Sequence, residues 1–261
     1  MRTLQTSTPE APGYLLTFEG GEGGGKGTQI EGLVAHLRSL GYPVTQTHEP
    51  GGTRIGDAVR RILLDPDHRG MDGRTELLLY EASRAQLLRE VIHPALAQGH
   101  VVVCDRFSDS TTVYQGYARG IALAVITQLN TITTGGLRPD CTVLLDLDPG
   151  IGLQRIQERA RLDRVEGEAL AFHQRVRHGY RALATEEPER FLVIDASQPP
   201  DRIQTALRGA VLTRLCDAGL MPCDLAQVHG AYGACGSCTS ASRETKPCPA
   251  IRAARTSVST R

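Results

Sequence analysis

The sequence has no tryptophan, no excess of either charge and no long apolar run. Among 261 residues, 29 basic side chains balance 29 acidic ones, so the broad positive surface that attracts nucleic acid or an anionic membrane is not expected. No apolar segment approaches the roughly 18 to 20 residues that span a bilayer, and Met1–Pro12 lacks the apolar core of a signal peptide. We therefore predict a cytoplasmic protein without a nucleic acid or membrane partner.

Cysteine chemistry is not expected to carry the main activity. Cys104 and Cys141 lie in apolar, strand-like runs, where a reduced, buried thiol is the usual form. The pair Cys235 and Cys238 lies in a segment rich in glycine, serine and threonine. Nearby cysteines and a histidine make a zinc site an alternative there, but the composition of residues 216–261 predicts a disordered, low-complexity tail.

A glycine-rich segment stands between a strand-like run and a helix-like run. Tyr14–Phe18 is apolar, and Ile30–Leu40 carries apolar residues at helical spacing. Gly20, Gly25 and Lys26 fill fixed positions of the pattern G-x-x-x-x-G-K-[ST], in which backbone N–H groups and a helix N-terminus surround phosphate oxygens. A flexible linker, the alternative, would lack the flanking strand and helix. The predicted ATP-binding residues are Gly20, Gly21, Glu22, Gly23, Gly24, Gly25, Lys26, Gly27 and Thr28.

One position of this loop departs from the pattern. Gly27 stands where serine or threonine ordinarily offers a hydroxyl to Mg²⁺. The apolar run His100–Cys104 ends in Asp105 and Arg106. If that strand lies beside the loop, Asp105 orients Mg²⁺ through water while Arg106 bridges two phosphates. A structural ion pair is the alternative. Together with Lys26, Asp105 and Arg106 begin the predicted catalytic set.

Residues suited to a nucleotide base occur on two helix-like stretches. Tyr80 and Arg84 are four positions apart and share a helical face, although an ordinary amphipathic helix shows the same spacing. Thr111, Tyr114 and Gln115 also fall near one face, and an amide with a hydroxyl suits a pyrimidine edge.

The turn Glu49–Thr53 follows another strand-like run. Ligands of open parallel sheets gather at the carboxyl ends of the strands. We therefore include Glu49 among the predicted substrate-binding residues, with a turn selected only for its Pro-Gly geometry as the alternative.

The segment at about residues 155–166 is dense in charge and poor in apolar residues. As a mobile lid it would bring guanidinium groups over a bound triphosphate, where they exclude water and spread transition-state charge. A solvated helix with surface ion pairs is the alternative. The arginines of this segment are Arg155, Arg159, Arg161 and Arg164.

Strand-like and helix-like runs alternate from Tyr14 to Leu215. The further predicted strands are Pro43–Thr47, Cys141–Leu147 and Phe191–Ile194, and the clearest further helices are Ile55–Leu64, Thr75–Gln98 with a kink at Pro94, Ile121–Ile132 and Pro200–Leu215. This alternation predicts an α/β fold, a P-loop doubly wound parallel sheet of about five strands with helices on both faces. Residues 1–13 form an N-terminal extension, and residues 14–215 form one domain.

Five segments, taken in order, resemble bacterial thymidylate kinases over about Tyr14–Leu215. They are Gly20–Gln29, Glu49–Thr53, Ser83–Gln86, Asp105–Ser110 and Tyr114–Gly120. The resemblance implies a nucleoside monophosphate kinase domain that uses ATP and Mg²⁺ to phosphorylate thymidine monophosphate by direct in-line transfer. It also implies a homodimer built on packed helices.

The same resemblance implies roles for individual residues. Glu22 would approach the sugar 3′-hydroxyl and Tyr114 would crowd the ribose 2′ position. Arg106 would hold the acceptor phosphate, and the lid residues that complete the catalytic set would be Arg159, Arg161 and Arg164. The resemblance also implies contacts with the base. Tyr80 would stack on it, Arg84 would bond its carbonyl edge, and Thr111 and Gln115 would recognise it.

Two features depart from the family pattern. Gly27-Thr28-Gln29 resembles the loop of adenylate kinases as well, and His48 replaces an arginine common before Glu-Pro-Gly-Gly-Thr. An adenylate-type or deoxynucleoside kinase is therefore one alternative, although Asp105–Phe107 disfavours the latter. A non-catalytic P-loop switch protein is another, but the guanine-reading motif Asn-Lys-x-Asp is absent.

Overall fold

The structure, a computed structural model, describes residues 13–157 and 162–220. Its sheet has five strands: β1 Tyr14–Glu19, β2 Val44–His48, β3 Val101–Asp105, β4 Cys141–Asp146 and β5 Phe191–Asp195. The strand order is β2-β3-β1-β4-β5, and every neighbouring pair is parallel. The predicted α/β class and parallel sheet are confirmed. Because β1 is central, the loop that follows it lies between the ends of β3 and β4.

Helices connect these strands across both faces of the sheet. They are α1 Lys26–Ser39, α2 Arg54–Leu64, α3 Gly73–Leu87, α4 His93–Ala97, α5 Ser108–Thr111, α6 Leu123–Thr134, α7 Pro149–Gln157, α8 Leu170–Glu186 and α9 Pro200–Asp217. A 3₁₀ turn, Pro66–His68, follows α2, and π-helical segments follow α3 at Leu88–Ile92 and α5 at Thr112–Ala118. None of the helices within the described ranges is long and apolar enough to cross a membrane.

Successive residues of the strands face opposite layers. Leu16 and Val103 pack with α1 and α9 on one face, whereas Leu15 and Val102 pack with α3, α4 and the π-helical segment between them on the other. Leu144 of β4 belongs to a third cluster, with α8. The central strands of a parallel sheet covered on both faces are nearly continuous apolar runs, which explains why β1, β3 and β4 are recognisable from sequence. The edge strand β2 is mostly polar and only partly buried.

The predicted helix Thr75–Gln98 is continuous but irregular. Its middle part, Leu88–Ile92, is π-helical, and α4 follows with Pro94 near its start. Proline lacks an N–H, and its ring clashes with the carbonyl four residues earlier in an α-helix. A π-helical turn widens the helix just before Pro94, and the kink expected at Pro94 stays a prediction.

The last helix runs slightly past the predicted end of the domain. It ends at Asp217, and Leu220 is only 8% exposed, packed in the same core cluster as Tyr42. The Tyr42 hydroxyl donates to the Leu220 carbonyl at 3.4 Å. Most of the predicted N-terminal extension, and the tail with Cys235 and Cys238, lie outside the described residues.

Candidate active site

The glycine loop follows the central strand and leads directly into α1. Gly25, just before Lys26, has a φ of 78°. Gly23 has a φ of 70°, and a Cβ there would lie 2.3 Å from the carbonyl oxygen of Gly152 in α7. Only glycine allows this conformation together with so close an approach. The loop is thereby folded in front of the N-terminus of α1, the arrangement that binds phosphate.

Lys26 is held within the loop by neutral acceptors. Its Nζ donates to the carbonyl oxygens of Gly20 at 3.2 Å and Gly21 at 3.1 Å. Burial and the neighbouring charge of Arg106 lower the pKa of Lys26. Phosphate oxygens form stronger, charge-assisted hydrogen bonds than carbonyls do, so an incoming nucleotide can replace these two partners.

Arg106 connects the loop to the strand beside it. Its φ of 71° is the only positive value at a non-glycine position in the described ranges, and its backbone N–H donates to the Phe18 carbonyl at 2.9 Å. The guanidinium donates to the Gly20 carbonyl at 3.1 Å and to Glu22 Oε1 at 2.8 Å. It also lies 5.0 Å from the ring centre of Tyr114. A strained backbone of this kind costs about 1–3 kcal/mol and persists where surrounding contacts fix it.

Glu22 is the acidic group of the loop. Its Oε1 accepts hydrogen bonds from Arg106 Nη2 and Tyr114 Oη, both at 2.8 Å. Burial alone would raise the pKa of Glu22, but the charges of Arg106 and Lys26 hold it at about 2. Glu22 is therefore ionised at neutral pH and acts only as an acceptor, which suits a sugar hydroxyl.

A buried network supports Arg106 from the side of the sheet. Glu19 Oε2 accepts from Ser110 Oγ at 2.6 Å and Tyr180 Oη at 2.7 Å, and Oε1 accepts from the Phe107 N–H at 2.8 Å. Arg106 Nη1 donates to the same Tyr180 hydroxyl at 3.2 Å. Burial raises the pKa of Glu19. The network therefore ties the end of β1 to the start of α5 and to α8.

A cavity of about 290 Å³ joins the phosphate loop to the π-helical segment after α5. The predicted residues that line it are Glu22, Lys26, Glu49, Tyr80, Asp105, Arg106, Thr111, Tyr114 and Gln115. Thr28, Arg84 and Arg164 are not among its lining residues. Arg159 and Arg161 lie outside the described residues.

Arg84 is buried behind the cavity wall and fully hydrogen-bonded. It is 1% exposed, and its five N–H groups reach Glu49 Oε2 at 2.8 Å, Glu81 Oε1 at 2.8 Å, Asn130 Oδ1 at 3.0 Å, the Phe107 carbonyl at 3.2 Å and Thr111 Oγ1 at 2.9 Å. A bond to a base would require the loss of one of these partners. The predicted base contact of Arg84 stays a prediction, and its observed contacts position Glu49 and Thr111.

Glu49 combines a buried ion pair with an unused oxygen. Its Oε2 is 2.7 Å from Arg84 Nη2, whereas its Oε1 is buried and has no hydrogen-bond partner among the described residues. Burial, opposed in part by Arg84, raises the pKa of Glu49 to about 7. Because Glu49 lines the cavity, the placement agrees with a substrate contact.

Gln115 belongs to a second buried network, centred on Glu76. Gln115 Nε2 donates to Glu76 Oε1 at 2.6 Å, while Arg119 and Arg164 reach Oε2 at 3.2 Å and 2.6 Å. Arg164 Nε also donates to the Leu63 carbonyl at 2.7 Å. The predicted lid residue Arg164 thus lies in a buried ion pair, because the carboxylate of Glu76 requires positive charge beside it. A catalytic role for Arg164 rests on the resemblance alone.

Residues 18–207 match a family model described as thymidylate kinase. The chain belongs to the thymidylate kinase family. It is 50% identical over 202 residues to the thymidylate kinase of Deinococcus radiodurans, which covers 77% of this chain and 98% of that protein. It is 52% identical over 204 residues to the enzyme of Solidesulfovibrio magneticus, covering 76% and 98%. The resemblance found in the sequence is confirmed.

A solved thymidylate kinase structure, from Ehrlichia chaffeensis, has the same fold. It is 33% identical to this chain, with a TM-score of 0.63, and the match covers 77% of this chain and 99% of that one. The predicted P-loop kinase fold is thereby confirmed. Neither an adenylate-type kinase nor a switch protein is favoured.

Two residues of this thymidylate kinase site were not found by sequence reasoning. Arg60 lines the cavity, whereas the adjacent Arg61 is exposed, and only the rotation of α2 distinguishes them. Tyr180 contacts Ser110, 70 residues earlier, through the packing of α8. The available signal for Tyr180 was a hydroxyl on a mainly apolar helical face, Phe172–Leu183.

We expect Tyr180→Phe to lower the free energy of unfolding by about 1–3 kcal/mol, because the buried Glu19 carboxylate loses a donor. Urea denaturation measures this change. Tyr42→Phe is the matched control, since its hydroxyl makes only one long bond, 3.4 Å, to Leu220. Equal losses of unfolding free energy in the two variants would show that the Glu19–Tyr180 hydrogen bond stabilises the fold no more than the long Tyr42–Leu220 bond does.

Proposed function

We propose that this thymidylate kinase family member converts ATP and thymidine monophosphate to ADP and thymidine diphosphate. An oxygen of the acceptor phosphate attacks the γ-phosphorus while the bond from that phosphorus to the β,γ-bridging oxygen breaks. The attacking oxygen is already anionic, so positioning and charge neutralisation suffice without a strong general base. The observation that carries the proposal is that one cavity is lined both by Lys26 and Arg106, which suit phosphate, and by Tyr80 and Gln115, which suit a base.

Cationic side chains reach the phosphate end of this cavity from three elements. Lys26 would exchange its loop carbonyls for the β- and γ-oxygens of ATP. Arg106, which donates to Gly20 and Glu22 in the loop, would hold the acceptor phosphate and spread transition-state charge. Arg60, whose Nη1 is bonded to the Pro50 carbonyl at 2.8 Å, offers a second guanidinium to the acceptor. The lid residues Arg159 and Arg161 would add charge from above.

The other end of the cavity suits a deoxyribose and a pyrimidine. Glu22 would accept a hydrogen bond from the 3′-hydroxyl, and Tyr114, whose hydroxyl donates to Glu22 at 2.8 Å, would crowd the 2′ position. Tyr80 would stack on the base while Thr111 and Gln115 read its edge. This assignment makes the base end polar and directional, which is the kind of site that discriminates strongly between substrates.

We expect kcat/KM for thymidine monophosphate to exceed that for adenosine monophosphate by at least about a hundredfold, because a site that hydrogen-bonds one base edge leaves groups unpaired with another. ADP formation with a panel of nucleoside monophosphates measures this ratio. Thymidine, which lacks the phosphate, is the control and should not be phosphorylated. Equal use of adenosine monophosphate, or ADP formation independent of any acceptor, would refute the proposal.

The residues at the end of β3 fit Mg²⁺. Asp105 Oδ1 is buried and has no hydrogen-bond partner in the described ranges, and Asp105 pairs in register with Phe18 at the start of the loop. Asp146 and Asp148 also end a strand, but both are bound to Arg177, beside a separate open cleft of about 660 Å³. Carboxylate oxygens suit Mg²⁺, which keeps several waters.

Asp105 would therefore hold Mg²⁺ through water, and the nucleotide phosphates would supply most of its ligands. No cluster of three or more acidic, histidine or cysteine side chains suited to a metal occurs within residues 13–157 and 162–220. When bound, Mg²⁺ neutralises charge on the β- and γ-oxygens. Thr28 is exposed in the first turn of α1, where its hydroxyl would contact ATP.

We expect Asp105→Asn to lower kcat at least about tenfold and to raise the Mg²⁺ concentration for half-maximal rate, because the metal's water shell loses a charged partner. Thr28→Ala should chiefly raise KM for ATP. Gly27→Ser is a gain-of-function control, since a Cβ at Gly27 meets nothing within 4 Å, and it should lower the Mg²⁺ requirement. A changed Mg²⁺ requirement in Thr28→Ala but not in Asp105→Asn would contradict this account.

The surface of α2, α3 and α6 supports the homodimer that the resemblance implies. α3 packs against both α2 and α6. Of the nine large apolar side chains that are exposed among the described residues, six lie on these helices: Ile55, Ile62, Leu78, Leu123, Val125 and Ile132. Exposed apolar surface concentrated in this way is typical of a protein interface, and a second copy of this chain would cover it.

We expect Ile132→Lys to shift the protein from dimer to monomer, because Ile132 is 70% exposed on α6 and a lysine there would be buried unpaired in the interface. Light scattering during size-exclusion chromatography measures the mass. Val193→Lys, at a side chain 53% exposed on β5, is the matched control and should remain dimeric. A monomeric wild-type protein would refute the dimer.

The proposed reaction agrees with the cytoplasmic location predicted from the sequence. ATP and a nucleoside monophosphate are cytoplasmic substrates, and Cys104 and Cys141 are free, buried thiols. Reduced cysteines are the normal state in that compartment.

A further inference from the structure

Glu76 touches the one amide that faces the base end of the cavity. Gln115 Nε2 donates to Glu76 Oε1 at 2.6 Å, and both side chains are 2% exposed. Glu76 is not itself among the residues that line the cavity, whereas Gln115 is. Glu76 therefore acts on a substrate through its neighbours, of which Gln115 is the one hydrogen-bonded to it that lines the cavity.

The charge state of Glu76 decides which way the Gln115 amide is turned. Burial alone would raise the pKa of Glu76, but the hydrogen bond from Gln115 and the contacts with Arg119 and Arg164 lower it. An ionised carboxylate can only accept hydrogen bonds. The NH₂ group of Gln115 must therefore face Glu76, since a turned amide would set two acceptor oxygens against each other.

In this orientation the carbonyl oxygen of the Gln115 amide, Oε1, faces the cavity. Among the described residues, the only side-chain hydrogen bond of Gln115 is the one that its Nε2 donates to Glu76. The cavity wall thus offers a fixed acceptor at this point, although a free glutamine side chain offers a donor and an acceptor equally well.

We propose that Glu76 is a specificity-determining positioning residue, which fixes the carbonyl oxygen of Gln115 as an acceptor for the N3–H of the substrate base. Thymine and uracil carry a hydrogen on N3. Cytosine carries a lone pair there, so two acceptors would face each other in its complex. The inference rests on the proposed function, because it concerns which base the acceptor nucleotide carries.

Glu76→Gln tests this mechanism. A neutral amide at position 76 can donate or accept, so Gln115 becomes free to turn. We expect the ratio of kcat/KM for thymidine monophosphate to that for deoxycytidine monophosphate to fall about tenfold or more, as expected when an unpaired buried acceptor is relieved. The ratio of thymidine to deoxyuridine monophosphate should not change, because both bases carry N3–H.

Arg119→Gln is the matched control. It removes another partner of the same carboxylate, bound through Nη2 at 3.2 Å, but leaves the bond between Glu76 and Gln115. A purely structural role of Glu76 would lower activity with all pyrimidine substrates alike in both variants. The proposal instead requires the thymidine-to-deoxycytidine ratio to change in Glu76→Gln and to persist in Arg119→Gln.

An unchanged ratio in folded Glu76→Gln would overturn the inference. If that variant does not fold, Glu76→Asp keeps the charge beside Arg164 but withdraws the acceptor from Gln115 by one methylene. The same fall in ratio is then expected, and an unchanged ratio overturns the inference. Failure of the proposed function is distinguishable, since the wild-type protein would then not phosphorylate thymidine monophosphate at all.

Discussion

The guanidinium of Arg106 holds the two halves of the active site together. It donates to the Gly20 carbonyl and to Glu22 in the phosphate loop, and to Tyr180 of α8, and it lies over the ring of Tyr114. These partners come from segments far apart in the chain. Phosphoryl transfer depends on the relative position of donor and acceptor more than on covalent chemistry. A single cation that contacts both sides, at the end of a buried strand, would therefore serve both the structure and the proposed reaction.

Buried carboxylates organise the rest of the site in the same way. Glu49 pairs with Arg84 and Glu76 with Arg164, while Glu19 is held by hydroxyl groups and a backbone N–H. Removing a carboxylate from water costs several kcal/mol unless its partners are well placed. Each of these groups therefore permits few arrangements of its neighbours. The buried networks therefore restrict the positions of the side chains that they tie to the cavity wall.

The strands of the sheet and most of the residues that line the cavity could be predicted from the sequence. Apolar runs and the glycine pattern are local signals, and parallel strands bring their carboxyl ends to one edge, which is why Glu22, Glu49 and Asp105 meet. The contacts of Tyr180 and Glu76 were not predictable, because they depend on how helices rotate and pack across long separations. Arg164 shows the same limit, since a charged segment does not reveal that a buried carboxylate binds one of its arginines.

The hydrogen bonds of Arg84 also suggest an indirect role for it in recognising the base, in place of the predicted direct contact. Arginine can only donate hydrogen bonds, so Thr111 Oγ1, bound at 2.9 Å, accepts from Arg84 and has its own hydrogen left to donate. Glu76, which can only accept, leaves Gln115 with its oxygen to the cavity. A hydroxyl and an amide are each ambiguous by themselves. In the proposed function, the two buried charges behind the wall would remove that ambiguity and present one donor and one acceptor, the complement of a carbonyl beside an N–H on the edge of a pyrimidine.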